Sequence, residues 1–229
     1  MKSYISTSVG KKFGVAVTGL ILYGFVVLHM LGNLKAFMGM DSDTGQHKLD
    51  HYAEFLREMG ETMLGHSTVL WITRVVLLIA LLIHLFLVFS LTLKNKAARP
   101  IGYNRDHYGS STVASRTMIY SGPLLLVFIV YHIFHMTIGS VHYHGFVDGQ
   151  VYNNVVSAFQ VSALTAVYVL SVGLLGLHLY HGVWSLFQTL GFNNVKYNCQ
   201  LRLLAQLSGF FIFLGFASVP VAVYLGIIH

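Results

Sequence analysis

Apolar residues fill five long stretches of this chain, at about residues 13–38, 69–93, 117–141, 157–187 and 203–228, and polar residues gather between them. Each stretch is long enough to cross roughly 30 Å of hydrocarbon as a helix, which takes about 20 apolar residues. A soluble core would instead show apolar stripes alternating with charged faces. Between Asp148 and Lys196 there is no charged residue at all. The pattern predicts an all-α integral membrane protein with five transmembrane helices, and residues 1–229 read as one membrane domain. The fourth stretch exceeds a single crossing, which predicts tilt or a portion projecting into water. In the first connection, HKLDHYAEFLREMG at residues 47–60 spaces Leu49, Tyr52, Phe55, Leu56 and Met59 at helical intervals, predicting a short surface helix outside the membrane.

Composition agrees with the pattern: 55% of the 229 residues are hydrophobic, 10% are charged, and the mean hydropathy is +0.66. The net charge of +6 would suit nucleic acid, but the basic residues cluster beside apolar stretches, where they signal topology. Lys2, Lys11, Lys12, Lys94, Lys96, Arg99, Arg105, Arg116, Lys196 and Arg202 fall at one end of a five-span alternation. Asp41, Asp43, Asp50, Glu54, Glu58, Glu61 and Asp148 fall at the other. The first is the basic end below, the second the acidic end. The positive-inside rule then puts the N-terminus of a multi-pass protein in the cytoplasm and His229 outside. The opening MKSYISTSVGKKFG superficially resembles a signal peptide, but its apolar run is too long and contains His29, so it reads as a retained first span. A single cysteine, Cys199, excludes an intrachain disulfide, and without a CxxCH motif any haem is held non-covalently.

Six of the thirteen histidines lie in apolar stretches: His29, His84, His132, His135, His178 and His181. A lone intramembrane imidazole usually hydrogen-bonds between helices. Here each of four consecutive spans carries at least one, and the fifth carries none. Depth sorts them further, because successive helices run in opposite directions. His29 lies on the order of 6 Å past the middle of its span, toward the acidic end, at 1.5 Å per residue. His132 lies on the same side. His84 and His178, each a few residues past the middle of oppositely directed spans, lie toward the basic end. Two neutral imidazoles from facing helices at one depth are what a six-coordinate haem iron takes, so two pairs predict two b-type haems stacked across the bilayer with helices 1 to 4 bundled around them. Of the i, i+3 neighbours, His132 and His178 are the favoured ligands. His181, a turn closer to the basic end, suits a haem propionate or quinone, and His135 suits a bond to a neighbouring helix. Zinc or copper would call for Cys, Asp or Glu beside His, and the spans offer no carboxylate; a four-histidine site from the two HxxH pairs is the remaining metal alternative. Gly19, Gly24, Gly122, Gly173 and Gly176 admit either a flat macrocycle or close helix packing.

LHMLGN around His29, LLIHLF around His84, IVYHIF around His132 and HLYHGVWS from His178 occur in this order over nearly the whole chain. With them the chain resembles the five-helix, di-haem cytochrome b membrane anchor of succinate dehydrogenases and fumarate reductases (succinate:quinone oxidoreductases) of menaquinone-using bacteria. The resemblance implies that His84 and His178 are axial ligands of the cytoplasm-side haem iron, and His29 and His132 those of the outer one. It implies flavoprotein and iron-sulfur partner subunits, electron transport to menaquinone, and a place where the tricarboxylic acid cycle meets the respiratory chain. It also implies an enzyme whose dicarboxylate site lies in another subunit. Where some family members carry a glutamate for transmembrane proton movement two residues before the fourth-span ligand, this chain has Gly176, so the resemblance does not extend to that pathway.

Quinone chemistry calls for proton donors beside an amphipathic pocket at an interface. Ser8, Lys12, Arg116, His181 and Trp184 are candidates at the basic end, and Glu54, Glu58, Glu61 and His66 at the acidic end; interfacial Trp, Lys and Arg also serve as plain anchors. Arg74 suits an outer haem propionate or a snorkelling anchor. Two other functions fit the same sequence: a di-haem anchor of another quinone-linked dehydrogenase, and a haem-free transporter relaying protons through its histidines.

Overall fold

A computed structural model describes residues 7–98, 113–143 and 145–229. Lys2, Arg99 and Arg105, used above for topology, lie outside the described residues. In chain order the helices are α1 (Ser8–Asn33), α2 (Lys48–Glu58), α3 (Glu61–Leu64), α4 (Thr68–Ala97), α5 (Val113–His132), α6 (Val151–Phe159), α7 (Ser162–Thr189) and α8 (Asn198–Tyr224). No strand occurs among the described residues, only an isolated bridge between Met40 and His47. A 3-10 turn, Leu34–Met38, extends α1, and a π-helical segment, Ile133–Ile138, extends α5. Five helical segments are long and apolar enough to cross a membrane: Ser8–Met38, Thr68–Ala97, Arg116–Ile138, Ser162–Thr189 and Asn198–Tyr224. The chain is a multi-pass membrane protein by that measure.

The span limits differ from the hydropathy pattern in places that have physical causes. The side chain of Thr7 accepts from the N–H of Gly10 at 3.0 Å, so α1 starts at Ser8, five residues before its apolar run. Gly139, in the left-handed region at φ 78°, stops the third span at Ile138 rather than 141. The fourth apolar stretch is not one element. Residues 157–159 belong to α6, Val161 adopts an extended conformation, and α7 begins at Ser162. The hydroxyl of Thr165 donates to the carbonyl of Phe159 across this break at 2.8 Å. The fifth helix runs Asn198–Tyr224, earlier at both ends than 203–228. The surface helix of the first connection is α2, shorter than residues 47–60 because Met59 leaves helical geometry and Gly60 (φ 78°) turns the chain into α3.

The closest helix pairings are α7 with α8, α1 with α4, and α5 with α7, and α1 also touches α7 and α8. Neither α1 with α5 nor α4 with α7 packs backbone to backbone over any length. The spans therefore form two blocks, α1 with α4 and α5 with α7 and α8, joined mainly through α1. The α7–α8 crossing is tight: a Cβ on Gly176 would lie 2.9 Å from the carbonyl oxygen of Gly209, and one on Gly209 would meet the carbonyl of Gly176. Close approach through small residues is how membrane helices gain packing contact.

The most buried core lies at the acidic end. Ala36, Leu49, Tyr152, Val156, Phe159, Tyr168, Val219 and Val223 are among its members, so α2 and α6 close that end over α7 and α8. The Asp50 carboxylate of α2 accepts from the N–H of Tyr152 at 2.8 Å, capping the start of α6, and His47 stacks on the Tyr152 ring at 3.5 Å.

Candidate functional site

His29 of α1 and His132 of α5 meet in the space between the two blocks. Their ring centres are 5.9 Å apart and their planes cross at 76°. Two imidazoles bound to one metal ion from opposite sides, with bonds of about 2.0–2.1 Å, have ring centres on the order of 6 Å apart. The pair fits that demand. Its surroundings are aromatic: Phe25 stacks on His29 at 5.3 Å, Phe216 of α8 lies 5.6 Å away, and Phe128 lies 5.9 Å from His132.

The second pair lies nearer the basic end. His84 of α4 reaches α1, where its Nδ1 is 3.1 Å from the Thr18 hydroxyl and its Cε1 lies 3.5 Å from where a Cβ on Gly19 would sit. Thr18 has one hydrogen, and the Gly14 carbonyl accepts it at 2.8 Å. With that hydrogen on Gly14, or on the Val15 carbonyl at 3.2 Å, the hydroxyl accepts from His84 Nδ1–H. That arrangement leaves Nε2 unprotonated, the form that binds a metal. His178 of α7 lies within electrostatic reach of His84 and His181, and its Nδ1 is buried without a hydrogen-bond partner.

Helical rise places the two pairs at separate levels by two routes. Along α1, Thr18 beside His84 is eleven residues from His29, about 16 Å. Along α7, His178 is ten residues from Tyr168, whose hydroxyl lies 3.3 Å from His132 Nδ1, about 15 Å. Each pair draws one residue from each block, across helices that do not pack together. A flat group held by these four residues would lie between the two blocks, and the donor set, four neutral imidazoles without a carboxylate, suits an iron porphyrin. A four-histidine ion site from His132, His135, His178 and His181 does not form: no group of three or more His, Cys, Asp or Glu among the described residues is arranged to hold an ion.

The remaining sequence candidates divide by position. His135 is fully buried and bonds through Nδ1 to the Tyr168 hydroxyl at 2.8 Å, a partner on the neighbouring helix α7. His181 stands one turn beyond His178. At the basic end Ser8 opens α1, Lys12 and Arg116 are exposed, and Trp184 lies under the Arg202 guanidinium at 5.7 Å, an anchoring contact. Arg74 is exposed and covers the Trp71 ring at 4.9 Å. At the acidic end Glu54, Glu58 and His66 line one cleft of about 440 Å³ together with Met40, His47, Asp50 and Arg57. Glu61 lies 3.6 Å from His66. Of the glycines, Gly173 and Gly176 face α8, whereas a Cβ on Gly24 or Gly122 would meet nothing within 4 Å. A carboxylate at position 176 would force α7 and α8 apart, which accounts for glycine there.

Thr18 and Tyr168 escaped the sequence reading. Serine, threonine and tyrosine are common in membrane helices, so neither stands out by type. The depth arithmetic that sorted the histidines puts Tyr168 near the level of His132 but Thr18 about 7 Å beyond that of His84, so the contact of Thr18 with His84 came only from the structure.

Compared with known proteins, the chain matches no family model, no curated protein and no solved structure.

Proposed function

We propose that this chain is the cytochrome b membrane anchor of a succinate:quinone oxidoreductase, carrying electrons between an iron-sulfur subunit and quinone. One observation carries the reading: four spans, two from each helix block, each supply an imidazole, and the four fall at two levels about 15–16 Å apart by helical rise. His29 and His132 would hold one haem b, and His84 and His178 the other. Held by two imidazoles each, such groups would supply one-electron transfer rather than oxygen chemistry.

The chain's own residues prepare this chemistry. Thr18 sets the tautomer of His84, and Phe25, Phe128 and Phe216 line the acidic-end pair with apolar surface that excludes water. Glu54, Glu58 and His66 gather proton-exchanging groups in the acidic-end cleft, beside the apolar Met40, which supports that end for quinone. Cys199 alone cannot hold an iron-sulfur cluster, so the reading requires partner subunits for the cluster and for the flavin that acts on succinate. Menaquinone as the quinone, and a bacterial inner membrane with the N-terminus in the cytoplasm, belong to the same reading.

Reduced-minus-oxidised spectra with pyridine-haemochrome quantification test it. Two low-spin b haems per purified chain are expected, falling to one in His84→Ala with the acidic-end haem retained. A folded preparation from haem-replete cells that binds none would overturn the reading. Co-purification with a succinate-oxidising flavoprotein separates it from the anchor of another quinone-linked dehydrogenase.

A further inference from the structure

HIFH at residues 132–135 offers two imidazoles to one site, and the structure contains a device that chooses between them. The π-helical segment Ile133–Ile138 starts directly after His132. In a regular helix residues three apart diverge by about 60°. Here both rings converge on one atom, the Tyr168 hydroxyl oxygen of α7, at 3.3 Å from His132 Nδ1 and 2.8 Å from His135 Nδ1. Tyr168 is 5% exposed, and its ring is held by Phe128 at 5.1 Å and Phe159 at 4.9 Å.

Hydrogen counting leaves one favoured arrangement. A phenol has one hydrogen, and a neutral imidazole has one N–H and one lone-pair nitrogen. If both rings donated to Tyr168, the tyrosine hydrogen and the buried His135 Nε2 would both be stranded. If Tyr168 donated to His132, the proton of His132 would sit on Nε2 and block a metal. With His132 Nδ1–H donating to the tyrosine and the tyrosine donating to His135 Nδ1, only His135 Nε2–H is left without a partner. His135 is also 0% exposed, stacked between Tyr131 at 5.3 Å and His142 at 4.9 Å, whereas His132 is open toward His29.

We propose that Tyr168 is the positioning residue of the acidic-end pair: it accepts from His132 Nδ1, presents His132 Nε2 to the iron, and ties His135 back out of the site. The inference rests on the haem-anchor reading and deepens it. A ligand whose N–H is held by an acceptor is a stronger electron donor, which favours the oxidised metal. Removing the acceptor therefore raises the potential of one haem and leaves the other alone.

Tyr168→Phe keeps the ring packing and deletes the hydroxyl. Optical redox titration of the purified full chain is expected to show two haems, with the one retained in His84→Ala shifted to higher potential and the other unmoved. A tenfold change in ferric-to-ferrous preference corresponds to about 59 mV. Replacement of Tyr168 by 3,5-difluorotyrosine, a weaker acceptor of nearly the same shape, is expected to shift the same haem in the same direction by less; it decides the matter should the phenylalanine variant not accumulate. Two haems with unmoved potentials, or equal shifts in both, would overturn the role of Tyr168 and leave the haem reading standing. No haem in the unsubstituted chain removes both.

Discussion

A threonine hydroxyl has one hydrogen to give, and Thr18 gives it to the carbonyl of Gly14. Its remaining capacity as an acceptor orients His84 from a different helix, a bond of 3.1 Å between α1 and α4. Thr18→Val preserves the shape and removes the acceptor. On the haem reading, the basic-end haem is expected to move to higher potential with the acidic-end haem unchanged, the mirror of the tyrosine substitution; a titration indistinguishable from the parent would show that the bond does not reach the metal. A second residue acts in water. The backbone N–H groups of Asp43 and then Thr44, with His51 nearby, hold the Asp41 carboxyl below its ordinary range. A lowered carboxyl pKa means that the ionised form favours the turn, so its contribution is complete above the ordinary carboxylate range and is lost as pH falls through the lowered value. Amide protection at Asp43 and Thr44, corrected for intrinsic exchange, should fall over that interval, and protection that persists below it would refute the assignment.

Among the elements, α7 is the organiser, because it packs on both α5 and α8 and brings Tyr168 and His178 to the two levels of the site. Its contact with α8 depends on two residues without side chains. A Cβ at Gly176 meets a backbone carbonyl 2.9 Å away, which cannot rotate aside as a flexible side chain would. Gly176→Ala should therefore part the helices and cost about 1–3 kcal/mol, as overpacking does. A lowered midpoint of thermal or detergent unfolding is the readout, and an unchanged midpoint would mean the crossing is looser than described. The number of spans was legible from hydropathy, but the break between Phe159 and Ser162 was not. Every residue across it is uncharged, and the turn is made by a Thr165 hydroxyl that also suits a helix interior. Helix pairing was equally hidden, since faces toward lipid and faces toward other helices are both apolar.

At the scale of the whole molecule, the histidine levels were legible because alternating helix direction converts residue number into depth. The 5.9 Å spacing of His29 and His132 agrees with that arithmetic. What sequence could not supply was the division into two blocks, which depends on packing between helices far apart in the chain. That division follows chain order: α1 and α4 come first, and α5, α7 and α8 come after residues 99–112. Each imidazole pair takes one member from the early block and one from the late block. On the haem reading, neither half of the polypeptide closes a site as it leaves the ribosome, and each cofactor would add a tie between halves that already meet through α1 on α7 and α8 and α2 on α6. Maturation on that reading would wait for the whole chain, because each site needs a ligand from the first half and one from the second before it can close.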